Sequence, residues 1–336
     1  MTALRSWAPI VLAVLVLAAV ERLLPGLNTD YRVHVLLDVG INVMLAVSLN
    51  LVNGVTGQFS IGHAGFMAAG GYSAAFVSLQ LMQYQLHGIP DAVTQGLFLL
   101  LALIIGGLVA ALLGFVVGLP SLRLRGDYLA IVTLGFGEII RVIIENTEAV
   151  GGARGLSNIP PWAGFFAVYL GVVVTIVVSR RIVGSTHGRA LLAIREDEVA
   201  AEAMGVDTVG YKVRAFVISA FLAGIAGGLY AHYQTNLAPK SFTFIRSIEI
   251  VVMVVLGGMG SLSGSVLAAV VLTLAPELLR AVDQYRMVTY GLLLVVLMIA
   301  RPSGIFGTRE IWELWPFRRR SKPDADKELA GPAAAP

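Results

Sequence analysis

The stretch of sequence that decides the fold is residues 50–65, which read NLVNGVTGQFSIGHAG. It holds four glycines and six polar side chains, yet long apolar runs flank it on both sides. Irregular backbone leaves N–H and C=O groups unpaired, and at membrane depth this is tolerated only where protein or a water-filled cavity covers them. We therefore predict a broken helix that borders an internal passage. The alternative is a tight turn in a packed seam of small residues.

Residues 257–264, GGMGSLSG, form a second interrupted stretch. Two such segments in the two halves of a membrane protein indicate inverted repeats that handle a substrate between them. The amides that broken helices expose can bind a carboxylate. Close packing of small residues is again the alternative. The residues of both stretches that we predict to line the passage are Asn50, Asn53, Gly54, Gly57, Gln58, Ser60, Gly62, His63, Gly257, Gly258 and Gly260.

The composition is that of a membrane protein. Of the 336 residues, 57% are hydrophobic and 13% are charged, against about 45–50% and about 25% in soluble domains. The net charge of +3 is too small to indicate a nucleic-acid-binding surface. The chain has no cysteines, which excludes disulfides and thiolate metal sites.

Apolar runs of about 20 residues predict transmembrane helices. We predict an all-α, polytopic membrane protein of ten such helices, with an inverted-repeat core and broken helices. The predicted spans cover residues 8–24, 33–52, 61–85, 95–119, 127–147, 161–179, 212–234, 247–260, 264–281 and 286–300.

The distribution of Lys and Arg predicts the orientation. Ten spans put both termini on one side, where sixteen of these residues fall, against seven on the other. We therefore predict that the termini and the 180–211 loop are cytoplasmic. An alternative for 8–24 is a cleaved signal peptide, although no convincing cleavage site follows it. The predicted parts are an N-terminal helix with its outer loop over 1–32, a transmembrane domain over 33–307 and a disordered tail over 308–336.

Two charges fall inside the fifth predicted span. Glu138 and Arg141 are three residues apart, which places them on one face of a helix. A lone charge at the bilayer centre costs at least about 2.5 kcal/mol, and pairing lowers that cost. We expect both side chains to face the bundle interior, either beside the passage or as a structural ion pair.

The 180–211 loop is predicted to contain a helix from Arg189 to Met204, which Gly205 ends. Its apolar, Met-bearing stripe with charged flanks suits docking into a groove on another protein. A helix that lies along the membrane surface is the alternative. The three consecutive acids at 196–198 argue against an anionic lipid surface.

Several motifs are missing from the sequence. It has no G-x-x-x-x-G-K-[ST] motif, so we predict no nucleotide binding by a P-loop. It has neither G-x-S-x-G nor H-E-x-x-H, which disfavours a membrane protease. His63 has no second His or carboxylate at ligand spacing, so we predict no metal site and no cofactor. Active transport would then need either an ion gradient or ATP hydrolysis in separate subunits.

Several segments resemble one known family. The chain is similar to the LivM/LivH-type permeases of branched-chain amino acid ABC importers, and it looks closer to the LivM type. The matching segments are Asn50-Leu51 with Gly54, Gly57, Ser60 and 62–64; residues 124–135; Gly151-Gly152 with Gly155-Leu156; residues 188–205; residues 254–260; and Arg301-Pro302 with Gly304 and Phe306-Gly307.

The resemblance implies a transport permease of a bacterial inner membrane and not an enzyme. It implies a second permease subunit (a paralogue or a second copy), two cytoplasmic ATPases and a periplasmic binding protein. Related permeases carry urea or short amides, so that substrate stays an alternative, as do an ion-driven secondary transporter and a passive channel. The loop residues that the resemblance assigns to ATPase coupling are Arg195, Glu196, Asp197, Glu198, Ala201, Met204 and Gly205.

Overall fold

A computed structural model describes residues 31–83, 91–122 and 127–279, together with Gly291, Val295, Gly304, Gly307 and Glu310. The predicted span 8–24 lies outside these residues, as do nearly all of the span 286–300 and of the predicted tail. The described part is helical, with an isolated β-bridge between Leu156 and Leu237. The helices are α1 Tyr31–Asn50, α2 His63–Leu81, α3 Asp91–Ser121, α4 Asp127–Asn146, α5 Phe165–Val183, α6 Thr186–Glu196, α7 Glu198–Ala203, α8 Thr208–Gln234, α9 Phe244–Gly257 and α10 Leu262–Leu278.

Eight of the ten predicted spans coincide with a described helix. Four described stretches are long and apolar enough to cross a membrane: Val33–Val55, Val93–Ser121, Phe165–Val183 and Thr208–Gln234. Helix α9 has 14 residues, which at 1.5 Å per residue reach about 21 Å, less than the roughly 30 Å of a bilayer core. The fold class is therefore an all-α, polytopic membrane protein with shortened helices next to its breaks.

Glycines let the central helices α2, α3 and α8 pack backbone to backbone. A Cβ atom on Gly70 of α2 would lie 2.2 Å from the Gly224 Cα atom of α8. A Cβ atom on Gly106 of α3 would lie 2.5 Å from the Gly70 carbonyl oxygen. Such close approach replaces large side chains with backbone contact, as is typical of membrane helix bundles. Helix α1 packs against α5, α8, α9 and α10 and is buried from Val39 to its end at Asn50.

Both predicted helix breaks are present. Helix α1 runs into a π-helical turn, Leu51–Val55, a deviation that is frequent at functional sites, and the chain then stays irregular as far as His63. The second break separates α9 from α10. There Gly258 has φ +107° and Gly260 has φ +96°, values that residues with a Cβ atom rarely adopt.

The predicted single helix over Arg189–Met204 is wrong, because the chain forms α6 and α7 with a break at Asp197. Asp197 has extended backbone, and its Oδ1 atom accepts hydrogen bonds from the amides of Val199 at 2.9 Å and Ala200 at 3.0 Å. An aspartate gains more as an N-cap than within a helix, so it starts a new helix. Gly205 ends α7 with φ +85°, as predicted.

Candidate functional site

The two glycine-rich stretches meet each other in the bundle. The buried Asn50 side chain donates from Nδ2 to the Ser261 carbonyl at 3.2 Å and accepts at Oδ1 from the Gly260 amide at 2.9 Å. A Cβ atom on Gly54 would lie 2.2 Å from the Gly260 amide nitrogen. We call this contact region, residues 50–60 with 257–264, the glycine junction. Of the predicted passage residues, Asn50 and Gly54 contact Gly260 directly across it.

The other polar side chains of the first stretch bond locally. Asn53 Oδ1 accepts from the Ser60 amide at 3.1 Å, and its Nδ2 donates to the Ser60 carbonyl at 3.2 Å. The Thr56 hydroxyl donates to the Val52 carbonyl. The Gln58 Oε1 atom is buried and has no hydrogen-bond partner among the described residues.

His63 lies deeper in the bundle, where its Nε2 atom is 2.8 Å from the Ser48 hydroxyl. Gly62 packs against α4, since a Cβ atom there would lie 2.2 Å from the Thr133 carbonyl oxygen. Apart from Gln58, these polar side chains are buried and hydrogen-bonded to nearby groups, which agrees with the packing alternative. The lining of a passage by Asn53, Gln58 and His63 stays a prediction.

Arg195 joins the cytoplasmic loop to the glycine junction. From the last turn of α6, its Nη1 atom donates to the Gly54 carbonyl at 2.8 Å. Its aliphatic stem covers Gly57, where a Cβ atom would lie 2.9 Å from Arg195 Cγ, and Nη1 would lie 2.5 Å from a Cβ atom on Gly260. One side chain of the loop therefore contacts both interrupted stretches.

Glu310 holds the second stretch from the other side. Its carboxylate accepts from the Leu262 amide at 2.8 Å and from the Ser263 amide at 3.0 Å. A negative charge there also complements the positive end of the α10 dipole. Glu310 lies in the range predicted to be a disordered tail, and no sequence pattern connects it with residues nearly fifty positions earlier. Gly257 and Gly258 flank this site, and each packs against neighbouring backbone.

The remaining loop residues differ in exposure. Glu198 forms a salt bridge with the buried Lys212, with Oε1 2.6 Å from Nζ. Ala201 packs inward, whereas Met204 is 85% exposed. Glu196 and Asp197 are exposed as well. Met204 of the predicted apolar stripe therefore points away from the bundle. The salt bridge between Glu198 and Lys212 attaches α7 to α8.

Glu138 and Arg141 form the expected ion pair, with 2.7 Å between Glu138 Oε2 and Arg141 Nε. Arg141 also pairs with Glu145 at 2.7 Å, and Glu138 Oε1 accepts from the Phe244 amide at the start of α9 at 3.0 Å. Both side chains are half-buried, at 36% and 21% exposure, so the expectation that they face the bundle interior stays a prediction.

No group of three or more His, Cys, Asp or Glu residues in the described part of the chain could hold a metal ion.

Comparison with known proteins identifies the family. Residues 31–300 match the family described as branched-chain amino acid transport system / permease component. The chain belongs to this family. The resemblance drawn from its segments is confirmed, and the chain is a transport permease of a membrane and not an enzyme.

Individual relatives agree. The high-affinity branched-chain amino acid transport system permease protein LivM of Salmonella typhimurium strain LT2 is 39% identical over 300 residues, which cover 79% of this chain and 67% of the relative. LivM of Escherichia coli K12 matches to the same extent. LivH of Escherichia coli K12 is 30% identical over 152 residues, covering 45% of this chain and 47% of LivH. No solved structure matches the chain.

Proposed function

We propose that this chain is the membrane-spanning permease subunit of an ABC importer that carries leucine, isoleucine and valine across a bacterial inner membrane. The names of its relatives support branched-chain amino acids as the substrate, because LivM and LivH are both permease proteins of branched-chain amino acid transport systems. The observation that carries the mechanism is the hydrogen bond of Arg195, in the loop expected to meet the ATPases, to the Gly54 carbonyl.

In this proposal the glycine junction is the cytoplasmic gate, closed in this structure. ATP binding by the partner subunits moves α6 and α7. Arg195 transmits this movement to the Gly54 carbonyl and to Gly260, and the two interrupted stretches separate. Backbone breaks suit this task, because hinges are a few element-terminal residues that absorb large changes in φ and ψ. Asn50, Asn53, Gln58 and Ser60 then offer polar groups to the passing zwitterion.

The partners in this proposal follow from the exposed surface of α7 and from the family. Met204 and Val199 are exposed at 85% and 63% on a short helix that Asp197 caps and Lys212 anchors. A rigid, capped helix with an apolar stripe suits a groove on an ATPase. A second permease subunit, a second ATPase and a periplasmic binding protein complete the importer. Both termini of the chain are then cytoplasmic.

The test is uptake of radiolabelled leucine into proteoliposomes that hold the chain with its proposed partners. We expect uptake that requires both ATP and loaded binding protein. Uptake by this chain alone under an ion gradient would indicate a secondary transporter, and flux without ATP would indicate a channel. Transport of urea but not of leucine would show that the substrate is urea and not a branched-chain amino acid.

The docking of α7 has its own readout. A Met204→Cys variant should cross-link to the ATPase, and a variant with cysteine in place of Met82, which is 60% exposed at the end of α2, should not. Absence of both the cross-link and any loss of uptake on deleting 196–204 would contradict the coupling role.

A further inference from the structure

A second polar cluster lies at the end of α9 opposite the glycine junction. In the first turn of α9, Arg246 sends Nη1 to Glu249 Oε2 at 2.9 Å and Nη2 to Asn42 Oδ1 at 2.6 Å. Asn42 donates in turn to Thr273 Oγ1 at 2.9 Å, so the cluster joins α1, α9 and α10. About 16 Å of helix separates Arg246 from Gly257. The cluster is therefore distinct from the junction.

These side chains line a cavity of about 510 Å³, within the roughly 300–1,000 Å³ of small-molecule sites. Asp38 and Glu249 bring two carboxylates to its wall, and Arg246 brings a guanidinium. The remaining wall includes four apolar side chains, Ile245, Met253, Leu272 and Pro276. An ion-pair network with only a structural role needs no cavity beside it, whereas these charges of both signs border an open cavity.

The arrangement is complementary to an α-amino acid. The guanidinium of Arg246 has five N–H donors, two of which serve Glu249 and Asn42, and its planar fork matches a carboxylate. The carboxylates of Asp38 and Glu249 can accept bonds from an ammonium group. Met253 and Leu272 offer apolar contact to an aliphatic side chain. A neutral amide such as urea has neither a carboxylate for Arg246 nor an ammonium group for Asp38 and Glu249, so it would gain less from these side chains.

We infer that this cavity is a binding site for an aliphatic amino-acid zwitterion within the permease itself. The inference rests on the proposed function and deepens it. In the predicted orientation the cavity lies in the outer half of the membrane, so it receives the amino acid from the binding protein while the glycine junction is closed. The permease then holds its substrate at one end of α9 and its gate at the other.

The experiment uses the absence of cysteine from this sequence. Ile245 lines the cavity and is 65% exposed, so Ile245→Cys places one thiol of this chain at the rim. The rate of maleimide labelling of this chain is measured in the assembled transporter in vesicles, without binding protein and with rising leucine. Labelling should slow about twofold at the leucine concentration that fills half of the sites, because only empty sites then react.

Two analogues separate a zwitterion site from simpler sites. Leucinamide lacks the carboxylate, and 4-methylpentanoate lacks the ammonium. Each should protect the thiol much less than leucine at equal concentration. Equal protection by leucinamide would indicate a cation site and would overturn the inference.

Variants connect the protection to the named side chains. In the Ile245→Cys background, Arg246→Gln should remove protection by leucine. Arg246→Lys, which keeps the charge but not the fork, should retain a part of it and guards against misfolding as the explanation. A Met82→Cys variant, exposed at the end of α2 and outside the cavity, should label equally fast with and without leucine.

The outcomes separate this inference from the proposed function. If ATP-driven leucine uptake is intact but leucine never slows labelling of the Ile245→Cys variant, the cavity is not the site and the proposed function stands. If the wild-type transporter shows no ATP-driven uptake, the proposed function fails, while protection by leucine still reports whether the cavity binds amino acids.

Discussion

The two interrupted stretches of this permease stabilise their irregular backbone differently. The first, residues 50–65, forms its hydrogen bonds partly within itself, as when Asn53 binds both backbone groups of Ser60, and partly to distant residues such as Thr133 and Arg195. The second, residues 257–264, depends on distant residues, because Asn50 binds Gly260 and Ser261 while Glu310 caps α10. The first stretch thus has internal side-chain bonds of its own, and the second is positioned mainly by its neighbours. A change at their contact should therefore disturb more than a change within either one.

Gly54→Ala is the change that we expect to disturb this contact most. The added Cβ atom would lie 2.2 Å from the Gly260 amide nitrogen and 1.9 Å from Asn50 Oδ1, so the stretches must move apart. We expect a loss of about 3 kcal/mol of stability, the upper end for overpacking, and a loss of leucine uptake.

Thermal unfolding of the purified protein and uptake in vesicles measure these effects. Gly96→Ala is the matched control, since among the described residues no neighbouring element lies within 4 Å of a Cβ atom there and alanine is the better helix former by about 1 kcal/mol. A junction that tolerates Gly54→Ala as well as Gly96→Ala would mean that the two stretches do not press on each other.

Asn50→Ala should have the next largest effect, because it removes the link between the stretches. The amide of the half-buried Gly260 would lose its partner, and leaving such a group unpaired costs about 1–3 kcal/mol. Asn53→Ala is its counterpart within the first stretch. We expect Asn50→Ala to raise the accessibility of a thiol introduced at Met259, in the second stretch, and Asn53→Ala to leave that accessibility unchanged. Equal effects of both variants on this labelling rate would abolish the distinction.

The sequence predicts the parts of this arrangement that are local. Glycine runs mark both breaks, apolar length marks the spans, and Gly205 ends α7 where expected. Asp197 is also a local signal, but helix-forming neighbours on both sides masked its preference for an N-cap.

Contacts between distant residues could not be predicted in this way. Asn50 and Ser261 lie 211 positions apart, and Glu310 reaches α10 from a segment with tail-like composition. In the sequence, Arg246 and Glu249 are two charges near the start of a predicted span. Only the fold shows that they line a cavity together with Asn42 and Thr273. Hydrogen bonds of this kind depend on how the helices cross, which hydrophobic periodicity does not specify.

Glu310→Ala tests the dependence of the second stretch on its distant partner. The change leaves the first amides of α10 with the Ser261 hydroxyl, which accepts from Gly264 at 3.0 Å, so the helix keeps one cap. We therefore expect a moderate loss of about 1–2 kcal/mol, comparable to the removal of an N-cap. Thermal unfolding measures this loss. The stability of Glu310→Gln should lie between those of Glu310→Ala and the wild type, because the amide oxygen of glutamine can still accept one hydrogen bond. Equal thermal stability of Glu310→Ala and the wild type would show that Glu310 does not stabilise α10.

Arg195→Lys should change stability least and still distinguish the two stretches. Lysine keeps the positive charge and can donate to the Gly54 carbonyl, but it lacks the planar group that reaches Gly260 as well. Because Arg195 is half-buried at the surface of the junction, we expect a loss of about 1 kcal/mol or less. The larger consequence should be in coupling, since the loop would move the first stretch without the second. The ratio of leucine molecules imported to ATP hydrolysed should fall while ATP hydrolysis continues, and Arg189→Lys, exposed on the same helix, should leave this ratio unchanged. If the ratio falls equally in both variants, the effect belongs to the docking surface of α6 and not to the contact with the glycine junction.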